Sequence, residues 1–144
     1  MEQTVSASGT CLCGHVRITA NELELDISAC HCHTCLKWSG GPDFAALARD
    51  GICIEGSEYV GIYTSSSRAT RAFCKECGTH LYFHDTETGE HYLPVSLFDD
   101  VDPRTFTLVS ELFIDKRPPY YALANPVKQV TAEEYDAEQI ARCG

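Results

Sequence analysis

Short apolar or alternating runs, separated by turn residues, fill the chain from about residue 16 to about residue 113. A hydrophobic period of two is typical of strands that bury one face. The pattern predicts strands over residues 16–19, 23–28, 44–48, 52–55, 59–63, 68–73, 80–84, 91–96 and 107–113. Turn residues such as Thr88-Gly89 and Asp102-Pro103 lie between these runs. The chain is therefore predicted to be mainly β.

The C-terminal part of the chain carries a helix signal instead. Thr131 and Glu134 have the spacing of a capping box, in which a hydroxyl and a carboxylate each satisfy a backbone N–H of the first turn. We predict a short C-terminal helix over residues 131–141. A helical turn is also expected over residues 34–38, where the chain must curl to return Cys35 to the cysteines before it.

Length and composition indicate one soluble globular domain spanning residues 1–144. The chain has 144 residues, of which 44% are hydrophobic and 22% are charged. No apolar run approaches the roughly 20 residues that span a bilayer. The first residues, Met1 to Thr4, are polar and acidic and do not resemble a secretory signal. We therefore expect a cytoplasmic protein.

The charge balance limits the possible partners. Eleven Lys and Arg against 21 Asp and Glu give a formal net charge of −10. An acidic chain without a basic run repels phosphate backbones. Nucleic acids and anionic membranes are therefore not expected to bind.

Seven of the nine cysteines fall into three tight clusters. Such a density in a reducing compartment indicates metal ligands rather than disulfides. The clusters consist of Cys11 and Cys13; Cys30, Cys32 and Cys35; and Cys74 and Cys77. They divide into one set of four and one set of three.

The first set pairs Cys11 and Cys13 with Cys74 and Cys77. Two closely spaced thiols followed by glycine form a turn that directs both sulfurs at one ion. Joining the two pairs predicts a closed, structural four-thiolate zinc site. The alternative is that one pair forms a disulfide while the other is simply buried.

The second set is Cys30, Cys32 and Cys35. In an extended segment residues 30 and 32 point to one side, so His31 between them faces away. Three protein ligands with one open position are typical of catalytic zinc. The alternatives are that His33, Cys53 or Cys143 closes the site as a fourth ligand. His31 is expected at the surface or behind the ligands.

The ligand type indicates the chemistry of the open site. Three thiolates leave a zinc ion with a net negative charge, which makes it a weak generator of hydroxide. Such a site favours binding an incoming thiol as a thiolate. Lys37, adjacent to the open site, is a candidate cation for an anionic thiol, although most such side chains are simply solvated. The backbone of Ser39 and Gly40 is expected either to hold a carboxylate or to cap a turn.

The clusters and their neighbours resemble the glutathione-dependent formaldehyde-activating enzyme family, which includes the centromere protein V group. The resemblance rests on the seven cysteines in order, on Lys37-Trp38-Ser39-Gly40 and on Arg71-Ala72-Phe73 before Cys74. It covers about residues 9–120, the predicted core of the domain, and implies a β-tent of several short coiled antiparallel sheets pinned by zinc. It also implies a structural zinc at Cys11, Cys13, Cys74 and Cys77 and a catalytic zinc at Cys30, Cys32 and Cys35.

The resemblance also implies an activity. The family's reaction joins the glutathione thiol to formaldehyde, so we expect a carbon–sulfur lyase of the S-(hydroxymethyl)glutathione synthase type, with two zinc ions and glutathione as thiol cosubstrate. Lys37, Ser39, Gly40 and Arg71 are the predicted glutathione contacts. Arg68 and Arg117 flank the family's motifs, as Arg71 does, and are further candidate cations. The alternative is a non-catalytic zinc module that binds a protein. Chromatin or microtubule binding fits the family but not the acidic charge.

Overall fold

The computed structural model describes residues 3–143, with side chains as far as residue 138. Within that range the chain forms strands β1 (Thr4–Thr10), β2 (Arg17–Glu24), β3 (Asp26–Cys30), β4 (Asp43–Ala48), β5 (Cys53–Glu55), β6 (Val60–Ser66), β7 (Ala69–Cys74), β8 (His80–Asp85), β9 (His91–Pro94), β10 (Thr107–Leu112) and β11 (Lys128–Val130). The helices are α1 (His33–Ser39) and α2 (Ala132–Cys143). Single 3₁₀ turns occupy Ser57–Tyr59, Val95–Leu97, Pro103–Thr105 and Ile114–Lys116. The prediction of a mainly β chain with a C-terminal helix is confirmed.

The chain divides into two compact units. The first contains the residues up to Asp26 together with Ala45–Thr107, and the second contains Ile27–Phe44 and the chain from Leu108 onward. The prediction of one domain over residues 1–144 stays a prediction.

The first unit is an antiparallel sheet. Strand β2 pairs with β1, β4 and β5, and the order continues from β4 through β9, β8 and β7 to β6. Its core consists of fully buried apolar side chains, among them Val16, Ile18, Leu23, Leu81 and Leu93. Their burial supplies the main stabilisation of this unit.

A close backbone approach fixes the end of β1. Gly9 bridges to Phe98, and a Cβ at Gly9 would collide with the carbonyl of Leu97. Asp99 accepts a hydrogen bond from the backbone N–H of Thr10 at 3.2 Å. These contacts hold the end of β1 directly before Cys11.

The second unit contains β3, β10 and β11. The hydroxyls of Ser28 and Ser110 lie 2.7 Å apart and join β3 to β10. Strand β11 pairs with β10 in parallel, from Ser110 opposite Lys128 to Leu112 opposite Val130. A parallel pair requires a long connection, which residues 113–127 provide.

The predicted capping box begins α2. The Thr131 hydroxyl accepts from the Glu134 N–H at 3.1 Å, and the Glu134 carboxylate accepts from the Thr131 N–H at 3.0 Å. The Phe113 and Tyr135 rings contact each other with centroids 4.9 Å apart. Helix α2 is therefore capped and packed as its sequence indicates.

Three strand predictions needed correction. The break between the runs 16–19 and 23–28 is wrongly placed, because β2 continues past exposed Asn21 and Glu22 to Glu24 and the break falls at Leu25. The run 91–96 ends at Pro94, after which the chain forms a 3₁₀ turn. Strands β1 and β11 were not predicted, since each buries few or small apolar side chains. No helix within residues 3–143 is long and apolar enough to cross a membrane.

Candidate metal centres

The first unit brings together Cys11, Cys13, Cys74 and Cys77, whose sulfurs all lie within 4.8 Å of one another. The Cys13 Sγ is 3.6 Å from Cys11 Sγ and 3.7 Å from Cys74 Sγ. A tetrahedral zinc with Zn–S bonds of about 2.3 Å separates its sulfurs by about 3.8 Å, whereas a disulfide needs about 2.05 Å. The donor set therefore fits a four-thiolate metal ion and does not fit the disulfide alternative.

Two glycine turns place these four sulfurs. Gly14 and Gly78 have φ of 85° and 80°, a region in which glycine has no Cβ clash. The Gly14 N–H donates to the Cys11 carbonyl at 3.0 Å, and the Gly78 N–H donates to the Cys74 carbonyl at 2.8 Å. The sequence therefore encodes each half of this cluster locally, as predicted.

Thr79 links the two halves of the four-cysteine cluster. Its hydroxyl accepts from the Leu12 N–H at 3.0 Å and lies 3.1 Å from the Cys77 sulfur. This hydroxyl, reinforced by backbone N–H groups, lowers the pKa of Cys77 to about 5. A hydroxyl can accept and donate at once, so Thr79 stabilises negative charge on one ligand while holding the loop of the other pair.

His15 is a further neighbour of this cluster that the sequence did not reveal. Its Nδ1 lies 3.1 Å from the Cys13 sulfur, and its ring contacts Tyr59 with centroids 4.3 Å apart. At Cys13 a backbone hydrogen bond at His15 lowers the pKa, but loss of solvent and the adjacent sulfurs outweigh it and raise that pKa to about 12. Protons and charge are therefore unevenly distributed over the metal-free thiols.

The second unit brings together Cys30, Cys32 and Cys35, again with sulfurs within 4.8 Å of one another. Cys30 ends β3, Cys32 is the N-cap residue of α1, and Cys35 is the buried residue of that helix. The Cys32 sulfur accepts the Cys35 N–H at 3.3 Å. Because Cys32 occupies the position that usually holds Ser, Thr, Asp or Asn, one sulfur serves both the cluster and the start of the helix.

Among the described residues, this group contains three cysteines and no fourth ligand side chain. His33 is exposed at the start of α1, and Cys53 is exposed in β5. Cys143 lies outside the described side chains. The hypothesis that His33 or Cys53 closes the site therefore has no support in the arrangement of these side chains.

The thiols of the three-cysteine cluster influence one another's ionisation. Hydrogen bonds to Cys32 and Cys35, followed by burial, strongly raise the pKa of Cys30. Three crowded thiolates repel one another unless a cation lies between them. The donor set therefore fits a metal ion, which removes that repulsion.

His31 faces away from the sulfurs, as the alternation predicts, but it is not at the surface. The side chain is completely buried and lies 2.8 Å from Glu111 and 2.7 Å from the Tyr121 hydroxyl. Glu111 also accepts from Gln129 at 3.3 Å. Sequence analysis missed Glu111, Tyr121 and Gln129 because they lie about 80 to 100 residues from His31, with no local pattern that connects them to it.

The predicted glutathione contacts occupy different environments. Lys37, in the last turn of α1, and Ser39 are exposed. The Gly40 N–H donates to the Leu36 carbonyl at 2.8 Å, so it caps the helix, one of the two uses that the sequence left open. Arg71 is buried in β7, with its guanidinium 5.0 Å from the centre of the Phe83 ring. Contact of these four residues with glutathione stays a prediction.

Comparison with known proteins finds relatives of this chain both in sequence and in structure. A protein of Schizosaccharomyces pombe, named an uncharacterized lyase, is 36% identical over 127 residues, which is 88% of this chain and 91% of the relative. The crystal structure of a Rhodobacter sphaeroides protein matches with a TM-score of 0.55 and 28% identity over 67% of this chain and 92% of the other.

The family comparison covers both cysteine clusters. The model named "Glutathione-dependent formaldehyde-activating enzyme" matches residues 6–116, which include all seven clustered cysteines. Most of the chain is matched, and the mainly β architecture that the resemblance implies is observed. This chain therefore belongs to the glutathione-dependent formaldehyde-activating enzyme family.

Proposed function

We propose that this chain is a zinc-dependent carbon–sulfur lyase that joins a thiol, glutathione, to formaldehyde or a related small electrophile and reverses that reaction. The family name and the relative named a lyase support the reaction class. The observation that carries the proposal is the group of three converging thiols without a fourth ligand among the described side chains. A fourth position is then left for a substrate.

Both clusters fit zinc, and we propose two ions per chain. Cys11, Cys13, Cys74 and Cys77 would hold a structural ion, while Cys30, Cys32 and Cys35 would hold the catalytic one. When bound there, zinc lowers the pKa of a thiol at the open position and so supplies a nucleophilic thiolate near neutral pH.

The protein's own groups prepare the three-cysteine site. The Cys35 N–H donates to the Cys32 sulfur at 3.3 Å and so fixes the position of that sulfur. Helix α1 fixes the spacing of these two sulfurs, and the end of β3 supplies the Cys30 sulfur. A site built on a strand end and a short helix needs little rearrangement when a ligand arrives.

Lys37 is the best placed of the predicted glutathione contacts. It lies two residues after Cys35, is exposed, and carries a positive charge in a strongly acidic chain. Glutathione has two carboxylates, and a charge-assisted hydrogen bond from an ammonium group would orient one of them. Exposed Ser39 offers a hydroxyl to the same ligand, while Gly40 and Arg71 remain contacts proposed from the family resemblance.

The proposed reaction needs no oxidant or reductant. A bond forms between the glutathione sulfur and the formaldehyde carbon, and the carbon–oxygen π bond breaks. The thiol proton is transferred to the resulting hydroxyl oxygen, so the product is S-hydroxymethylglutathione. The reverse reaction cleaves the carbon–sulfur bond and returns both reactants.

The test combines metal content with glutathione-dependent loss of formaldehyde. The parent chain should contain two zinc ions and exceed the uncatalysed rate. Cys32→Ser should retain one ion and lose at least about 100-fold in kcat/KM, since one ligand of the catalytic ion is gone. Cys53→Ser is the matched control, because it removes an exposed thiol outside both clusters.

Two results would contradict the proposal. A parent chain with one zinc ion would remove the catalytic site. A parent chain with two ions whose rate equals that of Cys32→Ser would favour the non-catalytic zinc module instead.

A further inference from the structure

His31 lies between two clustered cysteines but is not a ligand and takes no part in the proposed reaction. Its backbone N–H donates to the Leu112 carbonyl of β10 at 2.9 Å. Its ring lies 2.8 Å from the neighbouring Glu111 carboxylate. Both the main chain and the side chain of His31 are therefore bound to the same strand.

The buried pair of His31 and Glu111 is the centre of a polar network that also includes half-buried Tyr121 and exposed Gln129. His31 is 0% exposed and Glu111 is 1% exposed. Nε2 of His31 lies 2.8 Å from one oxygen of Glu111, and the side-chain amide of Gln129 donates to the other oxygen at 3.3 Å. The Tyr121 hydroxyl lies 2.7 Å from Nδ1. Each ring nitrogen has a partner, so rotating the ring would leave buried polar groups unpaired.

This network has a geometric consequence for the ligands. Successive side chains of an extended segment point to opposite sides. The His31 ring is directed at Glu111, whereas the sulfurs of Cys30 and Cys32 converge with that of Cys35. Anchoring residue 31 therefore fixes the direction of the two sulfurs that flank it.

We propose that His31, held by Glu111, is a positioning residue for the three-cysteine site. The anchor sets the two flanking sulfurs at ligand spacing before an ion binds, so that binding does not have to order that segment. The inference rests on the proposed metal at this cluster. It adds Glu111, Tyr121 and Gln129 to the residues on which the site depends.

The same pair of strands offers a matched control. Ser28 and Ser110 also join β3 to β10 by a side-chain contact, but Ser28 precedes Cys30 by two residues and its partner is a neutral hydroxyl. Ser28→Ala weakens the strand pair without changing the anchor of residue 31. A difference between the two kinds of variant would separate ligand positioning from general support of the sheet.

The test is a Co²⁺ titration of the full chain, followed by competition with a chelator. The variants are Glu111→Gln, which removes the charge and keeps the shape, and the double variant His31→Phe with Glu111→Met. The double variant replaces both polar partners by apolar groups, so it leaves no unpaired buried charge and keeps the chain folded. Circular dichroism checks the fold of each.

We expect two Co²⁺ ions in the parent chain, with separate absorption bands for four and for three sulfur ligands. In the double variant the affinity for the three-sulfur ion should fall about 10- to 100-fold and its ligand-field bands should shift. In Glu111→Gln the fall should be smaller. The four-sulfur ion should be unchanged in both, and Ser28→Ala should leave both ions unchanged.

The outcomes distinguish this inference from the proposed function. Unchanged affinity and bands at the three-sulfur ion of a folded double variant would overturn the positioning role and leave the proposed reaction intact. An equal fall in Ser28→Ala would also overturn it, since the effect would then belong to the strand pair. A parent chain that binds one ion would overturn both proposals.

Discussion

The four-cysteine and three-cysteine clusters use the same ligand atom but differ in how the chain completes them. In the first, two glycine turns supply four sulfurs and fill a tetrahedral set. In the second, a strand end and a helix supply three, and a buried His–Glu pair lies behind the segment. The comparison shows two ways of placing sulfurs. Local turns are enough for the four-cysteine cluster, whereas the three-cysteine cluster also has a buried contact with a distant strand behind it.

Removing one ligand from each cluster should affect different properties. Cys74→Ser takes a completely buried sulfur from the closed set and should lower the free energy of unfolding by more than about 5 kcal/mol or prevent folding, because a structural metal contributes directly to folding. Cys32→Ser should cost no more than about 2 kcal/mol, since serine is itself a good N-cap for α1. Urea unfolding in the presence of zinc, followed by circular dichroism, measures both. Equal losses of unfolding free energy in the two variants would contradict the claim that only the four-cysteine cluster is structural.

Lys37→Ala should affect binding of the thiol rather than the metal. We expect KM for glutathione to rise about 10-fold with little change in kcat, because the contact would be equally strong in the ground and transition states. Lys75→Ala is the control, as Lys75 lies beside a ligand of the other cluster. Steady-state rates at varied glutathione concentration provide the measurement. An equal rise in KM in both variants would show that the chain's overall charge, and not Lys37, is responsible.

Thr79→Val should change the pH dependence of the four-cysteine cluster. The Thr79 hydroxyl lowers the pKa of Cys77 to about 5, so in the folded metal-free chain this sulfur is charged above that pH. The associated stability is fully present above the ordinary thiol pKa and is lost as pH falls through about 5. Valine keeps the shape and removes the hydrogen bond, so the pKa of Cys77 should rise and metal should be released at a higher pH.

The pH of half-release of zinc, followed with a chromogenic chelator, measures this effect. The affinity at neutral pH should fall about 10-fold, and the three-cysteine cluster should release its ion as in the parent chain. Thr88→Val serves as control for loss of a threonine hydroxyl far from the described clusters in the sequence. A release curve identical to that of the parent would contradict the role of Thr79.

Thr131→Ala should have the smallest effect. It removes the hydroxyl that accepts from Glu134 and should speed amide exchange in the first turn of α2 by roughly fivefold. The three sulfurs of the other cluster come from β3, the N-cap and helix α1, which Thr131 does not belong to, so the metal affinity of that cluster should not change. Hydrogen exchange and Co²⁺ titration on the same sample test this. A weakened three-sulfur ion would show that α2 also supports the cluster.

Local features of the sequence were sufficient to predict the two groups of cysteines that the structure brings together. Closely spaced cysteines followed by Gly14 or Gly78 encode their own turns, and Thr131 with Glu134 encodes the start of α2. Alternation found most strands because each buries one apolar face. These signals succeed because cause and effect lie within a few residues of each other.

What sequence analysis missed depends on contacts between distant parts of the chain. In the sequence, Glu111 cannot be told apart from an ordinary carboxylate of a strand. Only the fold brings it within hydrogen-bond distance of His31. Strand β1 is composed of small and polar residues, and its pairing with β2 is what makes it a strand. Strand β2 also continues past Asn21 and Glu22, where alternation alone predicts a break, and its pairing with β1 is irregular at these two residues but present on both sides of them. Contacts between such distant residues produce no hydrophobic periodicity in the sequence, so alternation cannot reveal them.

The most direct test of the central claim is the effect of glutathione on the Co²⁺-loaded chain. Saturating glutathione should add sulfur-to-cobalt absorption and shift the bands of the three-sulfur ion, while the bands of the four-sulfur ion stay constant. Cys32→Ser should abolish the change, and Cys53→Ser should preserve it. A spectrum that does not respond to glutathione, or a response that persists in Cys32→Ser, would contradict the claim that the three-cysteine cluster is where the thiol binds.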